Sequence, residues 1–100
     1  MDIQTIVKNN QSEVIRHRRF LHQIPEVALT EEKTAAYVAD CLRKMPLDVR
    51  TGIAGHGVMG FLDTGRPGAN LLIRADMDAL PIAEETGLPF ASTHEGVMHA

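Results

Sequence analysis

Pro46 divides the sequence into two parts with different apolar rhythms, and that division limits the architectures open to the chain. Before it, apolar side chains recur at helical spacing. Ile3, Ile6, Val7, Val14, Ile15 and Leu21 make an imperfect stripe that predicts a helix through about His22, interrupted by the polar run NNQS. Pro25 disfavours helical geometry at Ile24, so HQIPE is predicted to hand this helix over to a loop. Thr30 then offers a side-chain oxygen as an N-cap, and Glu31 and Glu32 stand in the first turn, where the helix dipole favours negative charge. The stripe Ala35, Val38, Leu42 and Met45 predicts a second, amphipathic helix running to about Met45 and stopped by Pro46. Cys41, beside that stripe, reads as a small core residue.

After Pro46 the period falls to near two. DVRTGI, GVMGFLD and ANLLIRA are short, rich in β-formers and separated by glycine or proline clusters, as strands are. DTGRPGAN between the last two is turn chemistry throughout and predicts an antiparallel hairpin there. PIAEETGLPFASTHEGVMHA has no sustained period and reads as a loop, with one short helical turn at IAEET. Helices followed by strands predict an α/β class, two helices packed on a small sheet with a β-hairpin.

Composition narrows the partners. With 44% hydrophobic and 23% charged residues, 100 residues suit one soluble globular unit with a modest core. A net charge of −3 argues against a general nucleic-acid or anionic-membrane binder, which needs positive charge to displace counterions. The one basic run, RHRR at Arg16 to Arg19, fans around a helix and reads as a solvated surface. No apolar stretch is long enough to span a bilayer, and the amino terminus lacks a secretory signal pattern. A single cysteine makes no internal disulfide, so the chain reads as cytoplasmic.

The motifs carry more information. GHGVMG, Gly55 to Gly60, formally matches a dinucleotide fingerprint, with Asp76 at the distance of a ribose-binding acid. That motif works only where the glycine turn opens a helix, and VMGFLDTGRPG leaves no room for one, so glycines that bend paired strands are the better reading. In LLIRADMDALP, Arg74, Asp76 and Asp78 share one face of a strand and ask for water or a positive partner. One reading is a solvated Arg74–Asp76 pair without chemistry. A second is a resemblance to the strand-ending Asp-x-Asp of haloacid-dehalogenase-type, magnesium-dependent phosphotransferases, with Asp76 as nucleophile. Leu80 stands there where that family prefers Thr or Val.

A third reading covers nearly the whole chain. IRHRRFLHQIPEVALTEEKTAAYVADCL, IRADMDALPIAEETGLPFAS and GVMHA together resemble the amino-terminal part of the metal-dependent amidohydrolase family that includes hippurate hydrolases, aminoacylases and auxin-conjugate hydrolases. The family pattern Arg-Arg-x-Leu-His-x-x-Pro-Glu is matched at Arg18, Arg19, Leu21, His22, Pro25 and Glu26. Arg-Ala-Asp-Met-Asp-Ala-Leu-Pro is matched at every position from Arg74 to Pro81, and Met-His-Ala-Cys-Gly-His-Asp at Met98, His99 and Ala100.

The resemblance implies two-metal hydrolysis of an amide in N-acyl amino acids or similar conjugates, with Zn, Mn, Co or Ni as the divalent metal. It assigns residues 1–100 to a partial amino-terminal segment of a phosphorylase/hydrolase-like catalytic domain. The smaller dimerisation or lid domain is absent from that segment. The metal ligands are expected after Ala100, so this segment alone is expected to hold no metal and to be inactive, or a non-enzymatic binding remnant. In the wider clan a metal-binding His and a carboxylate two residues on occupy the places of Asp76 and Asp78. Asp78 is therefore the candidate that orients a metal ligand, with Asp76 at the rim and as a weaker ligand candidate. His99 is the other weak ligand candidate, and both His99 and His94 read as loop residues. Glu84 and Glu85 read as solvated, and His22 as a helix-end imidazole at the negative end of the dipole. A small-molecule substrate, no nucleic acid, no membrane and a homodimeric relative complete the expectation.

Overall fold

Asp2 starts the first helix. Its carboxylate accepts the Gln4 N–H at 3.1 Å and the Thr5 hydroxyl at 2.8 Å, supplying partners that the first turn of a helix lacks. In the computed structural model, which describes residues 2–100, α1 (Ile3–Gln23) runs on through NNQS without a break. It stops where Pro25 forbids continuation, and Pro25 is itself fully buried. Arg16, Arg18 and Arg19 are exposed, as the solvated reading of RHRR requires, and Arg16 pairs with Glu13 at 2.7 Å.

The second helix, α2 (Glu32–Arg43), is not capped by Thr30. The Thr30 hydroxyl donates back to the Val27 carbonyl at 2.7 Å, and the carboxylate of Glu26 takes the cap's place. Glu26 accepts the N–H groups of Lys33 at 3.1 Å and Thr34 at 2.6 Å, and the Thr34 hydroxyl at 2.7 Å. A local cap was expected because Thr30 is adjacent in sequence. The longer Glu26 side chain reaches the same N–H groups from before the loop and brings a full negative charge to the positive end of the dipole.

Two strands follow, β1 (Asp48–Ile53) and β2 (Gly57–Phe61), paired antiparallel with Asp48 opposite Phe61 and Ile53 opposite Gly57. The hairpin therefore lies one turn earlier than expected. Residues 54–56 close it, with Ala54 at φ 51° and Gly55 at φ 105°. A three-residue turn holds its strands in register, whereas DTGRPGAN is a longer loop with Gly65 and Gly68 at positive φ and imposes none. The third expected strand has no partner among the described residues: 71–78 form no ladder, and Leu71, Leu72 and Ile73 are 87%, 84% and 83% exposed. The helical turn expected at IAEET is also absent, and that stretch is irregular.

Helix α2 lies on both strands. A Cβ on Gly60 would meet the Leu47 side chain at 3.1 Å and Leu42 of α2 at 3.5 Å, so the glycine lets the helix approach. A Cβ on Gly57 would stand 2.5 Å from the Ile53 carbonyl oxygen. The glycines of GHGVMG thus serve turn and packing, and the run leads into a strand, with no helix to face a phosphate. Gly57→Ala is expected to destabilise the fold by ~1–3 kcal/mol through this overlap, read as a lowered urea midpoint. An unchanged midpoint would show that the hairpin does not close in this way.

Among the described residues, Ala39 and Ala79 are the buried apolar side chains besides Pro25, and Cys41 is half-buried with its Sγ 4.0 Å from His17 Nδ1. The radius of gyration, 15.8 Å, exceeds the roughly 13 Å of a compact 100-residue domain. No helix is long and apolar enough to cross a membrane, among the residues described.

Candidate functional site

The end of α1 is a hub. Four groups there, from His22, Gln23, Pro25 and Glu26, tie down the distant segment 79–94. The Gln23 carbonyl accepts the Thr93 hydroxyl at 2.6 Å and the Thr93 N–H at 3.1 Å. The Pro25 carbonyl accepts His94 Nδ1–H at 2.7 Å, and the Glu26 carbonyl accepts the Ala79 N–H at 2.8 Å. The His22 ring completes the set: its Nε2 lies 2.7 Å from Glu84 Oε1, with side chains only 7% and 5% exposed. Leu80 and Met98 exchange backbone hydrogen bonds at 2.9 and 3.1 Å, so the motif carrying Asp78 and the segment carrying His99 run side by side.

Glu84 is thus buried, against its expected solvated role. Its Oε1 also accepts the Ser92 N–H at 2.8 Å, and its Oε2 accepts the Thr86 hydroxyl. The Thr86 hydroxyl and then the Ser92 N–H outweigh desolvation, and with His22 they hold the Glu84 carboxyl below its usual range. An ionised Glu84 only accepts, so His22 Nε2 is the donor. The His22 ring sits edge-on to Phe90 at 6.1 Å, and the Arg19 guanidinium covers Phe90 at 4.6 Å. His22 is at the helix end, as read from sequence, but its partner is a carboxylate 62 residues away.

The acidic motif divides. Arg74 and Asp76 pair at 2.7 Å with side chains 82% and 60% exposed, the arrangement expected of a solvated pair and worth ~0–1 kcal/mol. Asp78 is also exposed, but its neighbours are anchored: Met77 is half-buried, and buried Ala79 is held by Glu26. His99 lies in the same neighbourhood. Burial pushes its imidazole down, the His22 charge adds to that, and the Asp78 charge opposes both. Its Nε2 is buried and has no hydrogen-bond partner among the described residues. Arg18, Leu21, His22, His99 and Ala100 line one cleft of ≈ 260 Å³.

The profile of Peptidase family M20/M25/M40 matches residues 72–100, the stretch that holds Asp76, Asp78, Glu84 and His99. N-acetyl-L-cysteine deacetylase of Bacillus subtilis (strain 168) is 41% identical over 90% of this chain and 22% of its own length. N-acetyldiaminopimelate deacetylase of Streptococcus pneumoniae (strain Hungary19A-6) is 44% identical over 88% of this chain and 24% of its own. The crystal structure of the Bacillus subtilis YXEP protein, described as a dinuclear metal binding peptidase from the M20 family, superposes with a TM-score of 0.84. It is 35% identical, over 92% of this chain and 26% of that one. Residues 72–100 thus match the M20 family, and about nine-tenths of the chain is similar to these deacetylases and to a solved M20 peptidase.

The chain spans about a quarter of the length of the relatives it matches. Its own residues do not suffice for the metal that the family implies: among the described residues no group of three or more His, Cys, Asp or Glu side chains converges to hold an ion. Asp76 is engaged by Arg74, and His99 offers one buried nitrogen. The phosphotransferase reading of Asp76 finds no support in these relatives. Sequence reasoning missed two residues of the site region, Glu26 as a cap and Glu84 as a buried acceptor. For Glu26 a signal existed, a carboxylate just after Pro25 and seven residues before Lys33. For Glu84 no local signal did, because its partner His22 is remote in sequence.

Proposed function

We propose that these residues form the opening segment of the catalytic domain of a hydrolase that cleaves the amide bond of N-acyl amino acids. The observation that carries this reading is the match, at 41% and 44% identity over about nine-tenths of the chain, to two deacetylases whose substrates are both acylated amino acids. In such a reaction water oxygen adds to the acyl carbonyl, the C–N bond breaks, and the proton goes to the departing amine. Asp78 is assigned the orienting carboxylate at the site, Asp76 its rim, and His99 a ring nitrogen beside it. The divalent metal of the family requires donors additional to those described here, which the reading places after Ala100. A small-molecule substrate, a cytoplasmic setting and a homodimer belong to the same proposal.

The test is hydrolysis of N-acetyl amino acids by the full-length protein, followed by release of free amine. Turnover that is lost to a chelator and restored by a divalent cation is expected. A fully folded, metal-loaded protein that releases no amine from any of a panel of N-acyl amino acids would refute the assignment.

A further inference from the structure

The His22–Glu84 pair has no place in the chemistry assigned above, yet it is the most enclosed ionisable contact described, at 7% and 5% side-chain exposure. Removing an imidazole and a carboxylate from water is costly, and only complete pairing offsets it. Here the pairing is complete on the Glu84 side. His22 and the Ser92 N–H approach one oxygen, and the Thr86 hydroxyl approaches the other, so the carboxylate is fixed from three directions. The ring of His22 is fixed in turn by Glu84 and by the edge contact with Phe90.

What this rigid ring faces is informative. His22 and His99 line the same small cleft, together with Arg18 and Leu21 of α1. His99 presents a buried ring nitrogen that no described residue satisfies, and buried polar atoms of this kind are few in folded proteins. The chain that carries His99 is held to the chain that carries Asp78 by the Leu80–Met98 bridge. Glu84 lies four residues beyond that bridge, so its bond to His22 ties the part of the cleft that α1 lines to the segment that carries Asp78.

We propose that His22 and Glu84 are a positioning pair for the hydrolytic site, holding the cleft that His22 and His99 line together beside Asp78. The proposal rests on the amidohydrolase reading. It assigns the pair no contact with substrate. Outer partners that orient the side chains of metal sites typically cost about 10–100-fold in affinity or activity when removed, and that range sets the scale here.

In the full-length protein, Glu84→Ala and His22→Phe are therefore expected to lower kcat about 10–100-fold with KM changed less than about twofold. Glu84→Gln keeps an oxygen for His22 and the Ser92 N–H, and is expected to recover most of the loss. Ring 15N and 1H resonances of His99 supply a readout independent of turnover: they are expected to move in Glu84→Ala and to return toward wild type in Glu84→Gln. If Glu84→Ala does not fold, His22→Phe and Glu84→Gln decide the matter by the same two measurements. Unchanged kcat per folded molecule together with unmoved His99 resonances would overturn the positioning role, leaving a structural tie. A protein that hydrolyses no N-acyl amino acid but shows the His99 response would overturn the hydrolase reading and support the positioning of His99 by the pair. Absence of both overturns both.

Discussion

Replacing Asp78 with Asn in the full-length protein is expected to lower turnover by ~10–100-fold while shifting the melting temperature by less than about 4 °C. The two halves of this expectation have separate physical grounds. Folding draws little from the Asp78 side chain, which is exposed. Its backbone, by contrast, is held between half-buried Met77 and buried Ala79, whose N–H is bonded to Glu26. A free carboxylate on a fixed backbone is suited to orient a neighbouring group, because the scaffold bears the entropy cost of positioning it. Asn keeps the size and one acceptor oxygen but removes the charge, which already acts on His99. Steady-state kinetics and a melting curve on the same preparation check both parts. Unchanged turnover with a large melting loss would show that Asp78 is a structural residue.

The second large effect falls on stability. Glu26→Ala removes three hydrogen bonds to the start of α2 and leaves the Lys33 and Thr34 N–H groups without their acceptor. A lost helix cap and a lost charged acceptor each cost about 1–2 kcal/mol, so a destabilisation of ~2 kcal/mol is expected in urea unfolding. Glu26→Gln, which keeps one acceptor oxygen, is expected to lose less. The same site gives the fold a pH dependence. Burial raises the Glu26 carboxyl, but the hydroxyl and N–H of Thr34, the Lys33 N–H and the Lys33 charge together outweigh it, and the net direction is below the ordinary 4.5. A carboxyl lowered in the folded state contributes stability that is fully present above 4.5 and is lost as pH falls through the folded value. Glu84 is lowered as well and adds in the same sense. Unfolding midpoints measured from pH 7 down to pH 3 should therefore fall on the acid side in wild type and fall less steeply in Glu26→Ala. Equal slopes would remove Glu26 from the account.

Local rules recovered what is local. The stop of α1 before Pro25, the amphipathic α2 and the strands at 48–53 and 57–61 all follow from spacing and turn residues within a few positions. The errors share one cause. Thr30 lost the cap to Glu26, the hairpin formed at 54–56 in place of DTGRPGAN, and the apolar run Leu71–Ile73 found no strand beside it. Each outcome depends on which distant group arrives, and propensity carries no information about that.

The sequence by itself determined the α/β class, the family resemblance and the place of the acidic motif, because periodicity and ordered motifs need no tertiary contact to be read. Only the tertiary structure decided that His22 meets Glu84 across 62 residues and that HQIPE is the anchor of the site region. It also separated Asp78, free on a fixed backbone, from Asp76, bound to Arg74. The physical reason is burial: His22 and Glu84 look like solvated polar residues in sequence, and their pairing arises only when the two segments that carry them exclude water together.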